Sequence, residues 1–199
     1  MTIQTNSSIR IAQPSDEPEV IRLVQMMHAE SGWLPLDVDC VRETLALAFE
    51  KKGGILAVIG APGHIRAMIY IRISHWWFTH NCHLEELFCW VHPDHRKSDY
   101  ARLLSEYAKS CSDELSRDMG HKVPLTMGVL TNRRMAAKVR LYRRFFGIPA
   151  GAFFLHNAEW VNKDDVCEED FWRVPKIANL FFKRAERNES RDKPRARAS

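Results

Sequence analysis

Apolar and polar side chains alternate with period two along residues 65–73, where Ile65, Ala67, Ile69, Ile71 and Ile73 interleave with Arg66, Met68, Tyr70 and Arg72. That period predicts a strand, and Gly60-Ala61-Pro62-Gly63 joins it as a hairpin to a second strand over 55–59. A short apolar run from Leu84 to Val91, rich in aromatic and branched residues, predicts a buried strand that Pro93 ends. The period then lengthens to that of a helix. Tyr100, Leu103, Leu104, Tyr107, Ala108, Cys111 and Leu115 fall on one helical face, with Ser98 or Asp99 as N-cap and Gly120 as left-handed terminator.

The same reading places a brief strand over 8–12, ended by Gln13-Pro14-Ser15-Asp16. A helix follows from Asp16 to about Ala29, with Val20, Leu23, Val24 and Met27 on its apolar face. Glu30 to Leu36 reads as a loop. Asp37 caps a second helix, whose face is Val41, Leu45, Ala48 and Phe49. Beyond Gly120 a strand is expected over 123–130, a helix over 133–145 bearing Met135, Val139, Tyr142 and Phe146 on one face, and a last strand over 150–156. Strands and helices in this order predict an α/β domain.

Composition changes the picture in two places. The 45% hydrophobic and 27% charged content belongs to a globular domain, and no run approaches the length of a membrane span. The N-terminus has no apolar signal region, and five cysteines without a CxxC pair suit a reducing compartment, so a cytoplasmic location is expected. The net charge of +4 is local: residues 183–199 hold seven Lys/Arg and three Asp/Glu, leaving 22 of each sign in the remainder. The tail is either a solvated end or a contact for nucleic acid.

Candidate chemistry centres on the strand–turn–helix over 83–120. Its turn, Asp94-His95-Arg96-Lys97-Ser98-Asp99, brings two cations to a helix N-terminus, an arrangement that receives phosphate. Near it, Ser74 to His83 carries three His, a Cys and the aromatic triplet Trp76-Trp77-Phe78. The H-x4-H-x-C-H spacing matches no structural zinc pattern, so no metal is expected. The triplet is read as packing at a loop, at a pocket edge or at a subunit contact such as a homodimer. The helix over 133–145 adds six cations, Arg133, Arg134, Lys138, Arg140, Arg143 and Arg144, either a solvent face or an anion site.

Two motifs carry a family resemblance. Val91, Pro93, Arg96 and Ala101 follow V-x-P-x-x-R-x-x-G-x-G/A, with Asp99 in place of the first Gly, which resembles the acyl-CoA pyrophosphate loop of the GNAT N-acetyltransferase superfamily. Asn132, Ala137, Tyr142, Phe146 and Gly147 resemble the second signature, with shifted Asn and Gly spacing. The resemblance covers about residues 9–156, and the run from Lys138 to Leu155 is similar to acetyltransferases of phages and prophages.

The resemblance implies a GNAT fold: a mixed, mostly antiparallel twisted sheet, splayed in the middle, with helices on both faces. It implies a GNAT domain over 1–156, an extension over 157–182 and the basic tail over 183–199. Acetyl-CoA would be the acyl donor and a small-molecule or macromolecular amine the acceptor. The backbone of Cys89, Trp90 and Val91 would pair with pantetheine, and Arg96, Lys97, Ser98, Asp99, Tyr100 and Ala101 would hold the diphosphate, with Asn132 also on the cofactor. Glu85, or in reserve Glu86, would be the base, and Tyr142 the proton donor to the leaving thiolate. Glu85 is otherwise an ion-pair partner of Arg66 or Arg72, and Tyr142 otherwise a core aromatic. Glu30 and Trp33 would shape the acceptor site or else pack as surface and core. Two other functions fit the same residues: acylation of an amino group on a nucleic-acid base, and binding of CoA or a partner without turnover.

Overall fold

The computed structural model describes residues 9–151 together with 156, 159, 161 and 162. Among these residues five strands form one open sheet in the order β1-β2-β3-β4-β5: β1 Ile9–Ile11, β2 Gly54–Ala61, β3 His64–His75, β4 Cys82–Val91 and β5 Leu125–Thr126. The first three pairings are antiparallel and β4–β5 is parallel. Four α-helices of the described residues flank it: α1 Glu17–Ser31, α2 Val38–Phe49, α3 Tyr100–Asp118 and α4 Met135–Phe146.

Both faces of the sheet are covered. On one face Leu56, Val58, Met68, Tyr70 and Trp90 pack against Val20, Leu23 and Val24 of α1 and Leu45 of α2. On the other, Ala57, Ile59, Ala67, Ile69, Ile71 and Leu84 pack against Tyr100, Leu104, Ala108 and Cys111 of α3. The α3 residues are the predicted stripe, and Gly120 has the left-handed φ of 69° expected past its end. Asp37 caps α2, accepting from the backbone N–H of Asp39 at 2.9 Å and of Cys40 at 3.2 Å. At the other edge Asp16 is fully buried. It takes a two-point ion pair from Arg10 at 2.6 and 2.8 Å and the Gln13 N–H at 2.8 Å.

Two β-bulges break the expected alternation. At the first, Ile59 pairs with Ala67 and Gly60 with Ile65, so Ile65 joins the α1/α2 face instead of following Ala67 onto the other. Gly60 makes the turn possible, because its φ is 124° and a Cβ there would lie 2.2 Å from the His64 carbonyl oxygen. At the second, Tyr70 pairs with Phe88 and Ile71 with Glu86, which leaves Leu87 extra on β4. Unbroken period-two alternation would put Glu85, Leu87, Cys89 and Val91 on one side. Instead Glu86 shares a face with Leu84, Cys89 and Val91, while Glu85 lies with Phe88 and Trp90.

Other expectations change in extent. The ladder of β5 has two residues rather than the eight predicted over 123–130, since Pro124 has no N–H to pair and the chain leaves β4 after Thr126. Helix α1 continues through Glu30 to Ser31, so Glu30 is helical, not part of a loop. Helix α4 begins at Met135 after Arg134, whose φ is 52°. Asp99 makes no side-chain cap; it pairs with Arg102 at 2.6 Å, and Ser98 Oγ accepts the Tyr100 N–H at 3.3 Å. The strand expected over 150–156 falls largely outside the described residues. So do the tail over 183–199 and the extension over 157–182 apart from Glu159, Val161 and Asn162.

Candidate active site

The parallel pairing of β5 stops at Glu85–Thr126, and among the described residues no strand joins β4 on that side from there to Val91. The strand therefore presents backbone N–H and C=O groups to a cleft of about 790 Å³. Glu85 to Val91 run along the cleft. Trp33 and Glu30 stand at one wall, Ser98 of the β4–α3 connection and Ala101 of α3 at another, and Lys138 and Tyr142 of α4 at a third. Residues 76–78 do not line it; Trp76, Trp77 and Phe78 are exposed in the β3–β4 connection, where Trp76 stacks on His83 at 5.1 Å. No helix among the described residues is long and apolar enough to cross a membrane, and among them no three His, Cys, Asp or Glu side chains cluster as a metal site would require.

The bulge at Leu87 turns Glu86 inward. Its side chain is only 2% exposed, which an ionised carboxylate tolerates when every oxygen is hydrogen-bonded. One oxygen accepts from Lys138 Nζ at 2.9 Å; the other accepts from the Tyr142 hydroxyl at 2.9 Å and the Gly128 N–H at 3.0 Å. Lys138 also lies 5.2 Å from the centre of the Tyr142 ring. Burial, then the neighbouring Cys89 and Glu86, raise the Tyr142 phenol well above its ordinary value, so it stays protonated. Burial and the Glu86 carboxylate push the Cys89 thiol up to about 12. A thiol held there contributes almost no thiolate at neutral pH and makes a poor nucleophile.

Glu85, on the opposite face, accepts an ion pair from Arg72 at 2.6 Å and is about one-third exposed. Of the two partners foreseen for it, Arg72 is the one it meets. A second network lies across the cleft. Arg96 pairs with Glu30, stacks over the Trp90 ring at 5.8 Å and donates from Nε to the Val91 carbonyl at 3.3 Å. Trp90 Nε1 donates to the same Glu30 oxygen at 3.1 Å. Burial pushes the Glu30 carboxyl up, but the Arg96 and Trp90 hydrogen bonds and the Arg96 charge outweigh it, and the group is held below its ordinary value.

Other expected site residues stand elsewhere. Lys97, Asp99, Tyr100 and Asn132 do not line the cleft. Tyr100 is buried against the sheet with its hydroxyl 3.3 Å from Arg66, and Asn132 donates to the Asn162 carbonyl at 2.7 Å. Lys138 was foreseen only as one of six cations on a solvent face or an anion site, not as the partner of Glu86, and Gly128 was not foreseen. Lys138 lies one helical turn before Tyr142, a spacing that shares a face, so it was recoverable from the sequence. The Gly128 contact was not, because it depends on the tertiary path after β5.

No family model matches the chain, and no curated protein matches it by sequence. Solved structures do match by fold. An aminoglycoside 6'-N-acetyltransferase, AAC(6')-IG from Acinetobacter haemolyticus, superposes with a TM-score of 0.52 at 13% identity, over 76% of this chain and 97% of its own. AAC(6')-Iy, in complex with the bisubstrate analogue CoA-S-monomethyl-acetylneamine, gives 0.56 at 11% identity, over 76% and 97%. A Trypanosoma brucei acetyltransferase gives 0.51 at 15% identity, over 76% and 98%. The chain therefore has the GNAT fold: a mixed, open five-stranded sheet flanked by helices.

Proposed function

We propose that this protein is an acyl-CoA-dependent N-acyltransferase, using acetyl-CoA to acylate a primary amine by direct attack. The observation that carries the reading is the edge of β4 from Leu87 to Val91, which pairs with no strand among the described residues on that side. It opens on a cleft bounded at one end by the N-terminus of a 19-residue helix and at the other by buried Tyr142. A donor with an amide-bearing arm and a diphosphate fits that layout: the arm pairs with the strand edge, and the diphosphate meets the first-turn N–H groups of α3. The acyltransferase domain is taken as 1–156, with the extension 157–182 and the tail 183–199 appended.

An amine attacks a thioester only as the neutral species, so its proton must leave. Glu85 lines the cleft and is its most accessible strand carboxylate, and it takes that proton directly or through water. Glu86 is buried with both oxygens already hydrogen-bonded and serves instead to hold Tyr142 and Lys138. As the C–S bond breaks, negative charge grows on sulfur. Tyr142 can turn its O–H from Glu86 toward that sulfur, and Lys138 lowers the pull of Glu86 by neutralising it. A phenol above 10 is a weaker acid than a thiol near 8.5, so full proton transfer is uphill by about 2 kcal/mol or more. Tyr142 therefore acts as a hydrogen-bond donor to the thiolate, which takes its proton from water on release. Cys89, kept as a thiol, offers no acyl-enzyme route, which favours direct attack.

The acceptor is expected to be a small amine. Two of the similar structures are enzymes named for aminoglycoside acetylation. The test is the rate of CoA thiol release from acetyl-CoA with a panel of primary amines, from amino sugars to aryl-alkylamines. Amine-dependent release supports the reading; no release with any amine, together with no saturable binding of acetyl-CoA, refutes it.

A further inference from the structure

Arg96 stands where the β4–α3 connection meets the helix N-terminus, yet its guanidinium is turned inward across the cleft. It is committed to Glu30 of α1, with Trp90 stacked beneath it and the Val91 carbonyl fixing Nε. The two partners are 66 residues apart in sequence and largely withdrawn from water, at 21% and 15% exposed. Ser98 and Ala101, at the start of α3, line the same cleft. One guanidinium thus stands between two anion demands: the Glu30 carboxylate, and a diphosphate at the α3 N-terminus.

We propose that the Arg96–Glu30 pair is a latch that acyl-CoA opens, drawing Arg96 to the diphosphate and exposing Glu30 as the seat for the acceptor's cationic nitrogen. This rests on the acyl-CoA reading above. The physical basis is exchange of partners. A guanidinium matches phosphate oxygens as well as it matches a carboxylate, and a diphosphate carries more charge. Once Arg96 leaves, Glu30 keeps the Trp90 hydrogen bond and the weaker pull of the Arg133 charge but loses its ion-pair partner while only 15% exposed, an unfavourable state that an ammonium group relieves. Donor binding therefore creates the acceptor site, and the two substrates bind in order, acyl-CoA first, with positive coupling.

The latch predicts an unusual sign. Glu30→Gln removes the competitor for Arg96 and should tighten acetyl-CoA binding by about 5- to 20-fold, measured by titration calorimetry on the full chain. The gain should vanish in the Arg96→Ala background and should be absent for S-acetylpantetheine, which has no diphosphate. Glu30→Asp, with its carboxylate drawn back by one methylene, should shift affinity the same way and serves if Glu30→Gln does not fold. Unchanged or weaker acetyl-CoA binding in the folded variant overturns the latch, as does a gain that persists without Arg96 or extends to S-acetylpantetheine. Absence of acetyl-CoA binding by the unaltered protein would instead overturn the acyltransferase reading itself.

Discussion

Replacing Tyr142 with Phe deletes one buried oxygen from the wall of the cleft and leaves the ring. The ring's edge-to-face contact with Phe146, at 5.7 Å, and its place beside Lys138 should survive. Glu86 loses one of its three hydrogen bonds, a charge-assisted one, while keeping Lys138 and the Gly128 N–H. The expected cost in stability is about 1.5–3 kcal/mol, a fall in Tm of roughly 3–12 °C for a chain of this size. If the phenol also donates to the departing sulfur, turnover should drop by about 10²–10³-fold, the scale for losing one preorganised donor at a developing anion. Affinity for acetyl-CoA should change little, since the phenol is used only as charge appears. Initial rates, a calorimetric titration and a thermal melt separate these effects. A lowered melt with near-normal turnover would refute the catalytic role and leave Tyr142 as the residue that satisfies Glu86. The pH dependence has a fixed sign. Because the folded phenol titrates above its unfolded value near 10, its contribution to stability is complete below pH 10 and is lost as pH rises through the folded value. Tyr142→Phe should remove that alkaline loss.

Three further outcomes are expected. Glu85→Gln should lower amine-dependent turnover by about 10²–10⁴-fold with acetyl-CoA binding intact, and Arg72→Ala, which removes only its ion-pair partner, should cost far less; equal losses would mean Glu85 matters only through the pair. Asp99→Gly should leave acetyl-CoA affinity equal or improved, because Asp99 faces Arg102 outside the cleft; a large loss of binding would show that the carboxylate supports the loop. Asp16→Asn should destabilise by about 2–4 kcal/mol through loss of the Arg10 pair. Arg10 holds the Asp16 carboxyl below its ordinary value, so that contribution is present above about pH 4 and fades as pH falls through the folded value. Acid titrations of the two proteins should converge at low pH; parallel curves would contradict this.

The sheet and its helices were legible because burial leaves a period: the stripe from Tyr100 to Cys111 and the alternation of Ala67, Ile69 and Ile71 in β3 are both where packing requires them. The strand–turn–helix unit was equally plain, since Pro93 and Gly120 punctuate it. What escaped was the order of faces on β4. A bulge is set by register against β3, and nothing local in Glu85-Glu86-Leu87 marks which residue will be extra. For that reason the buried carboxylate is Glu86 and the more accessible one Glu85, on opposite faces. The partner of Arg96 escaped too, because Glu30 meets it only after α1 folds over the sheet, and a pairing across 66 residues leaves no local period.

The central claim, that acyl-CoA lies along the open edge of β4, is tested most directly by amide hydrogen exchange of the full chain with and without saturating acetyl-CoA. The account predicts slowed exchange at residues 87–91 and 98–102, where strand and helix N–H groups gain acceptors, with β2 and α2 unchanged. Saturable binding with protection confined elsewhere, or no change at those amides, would contradict it.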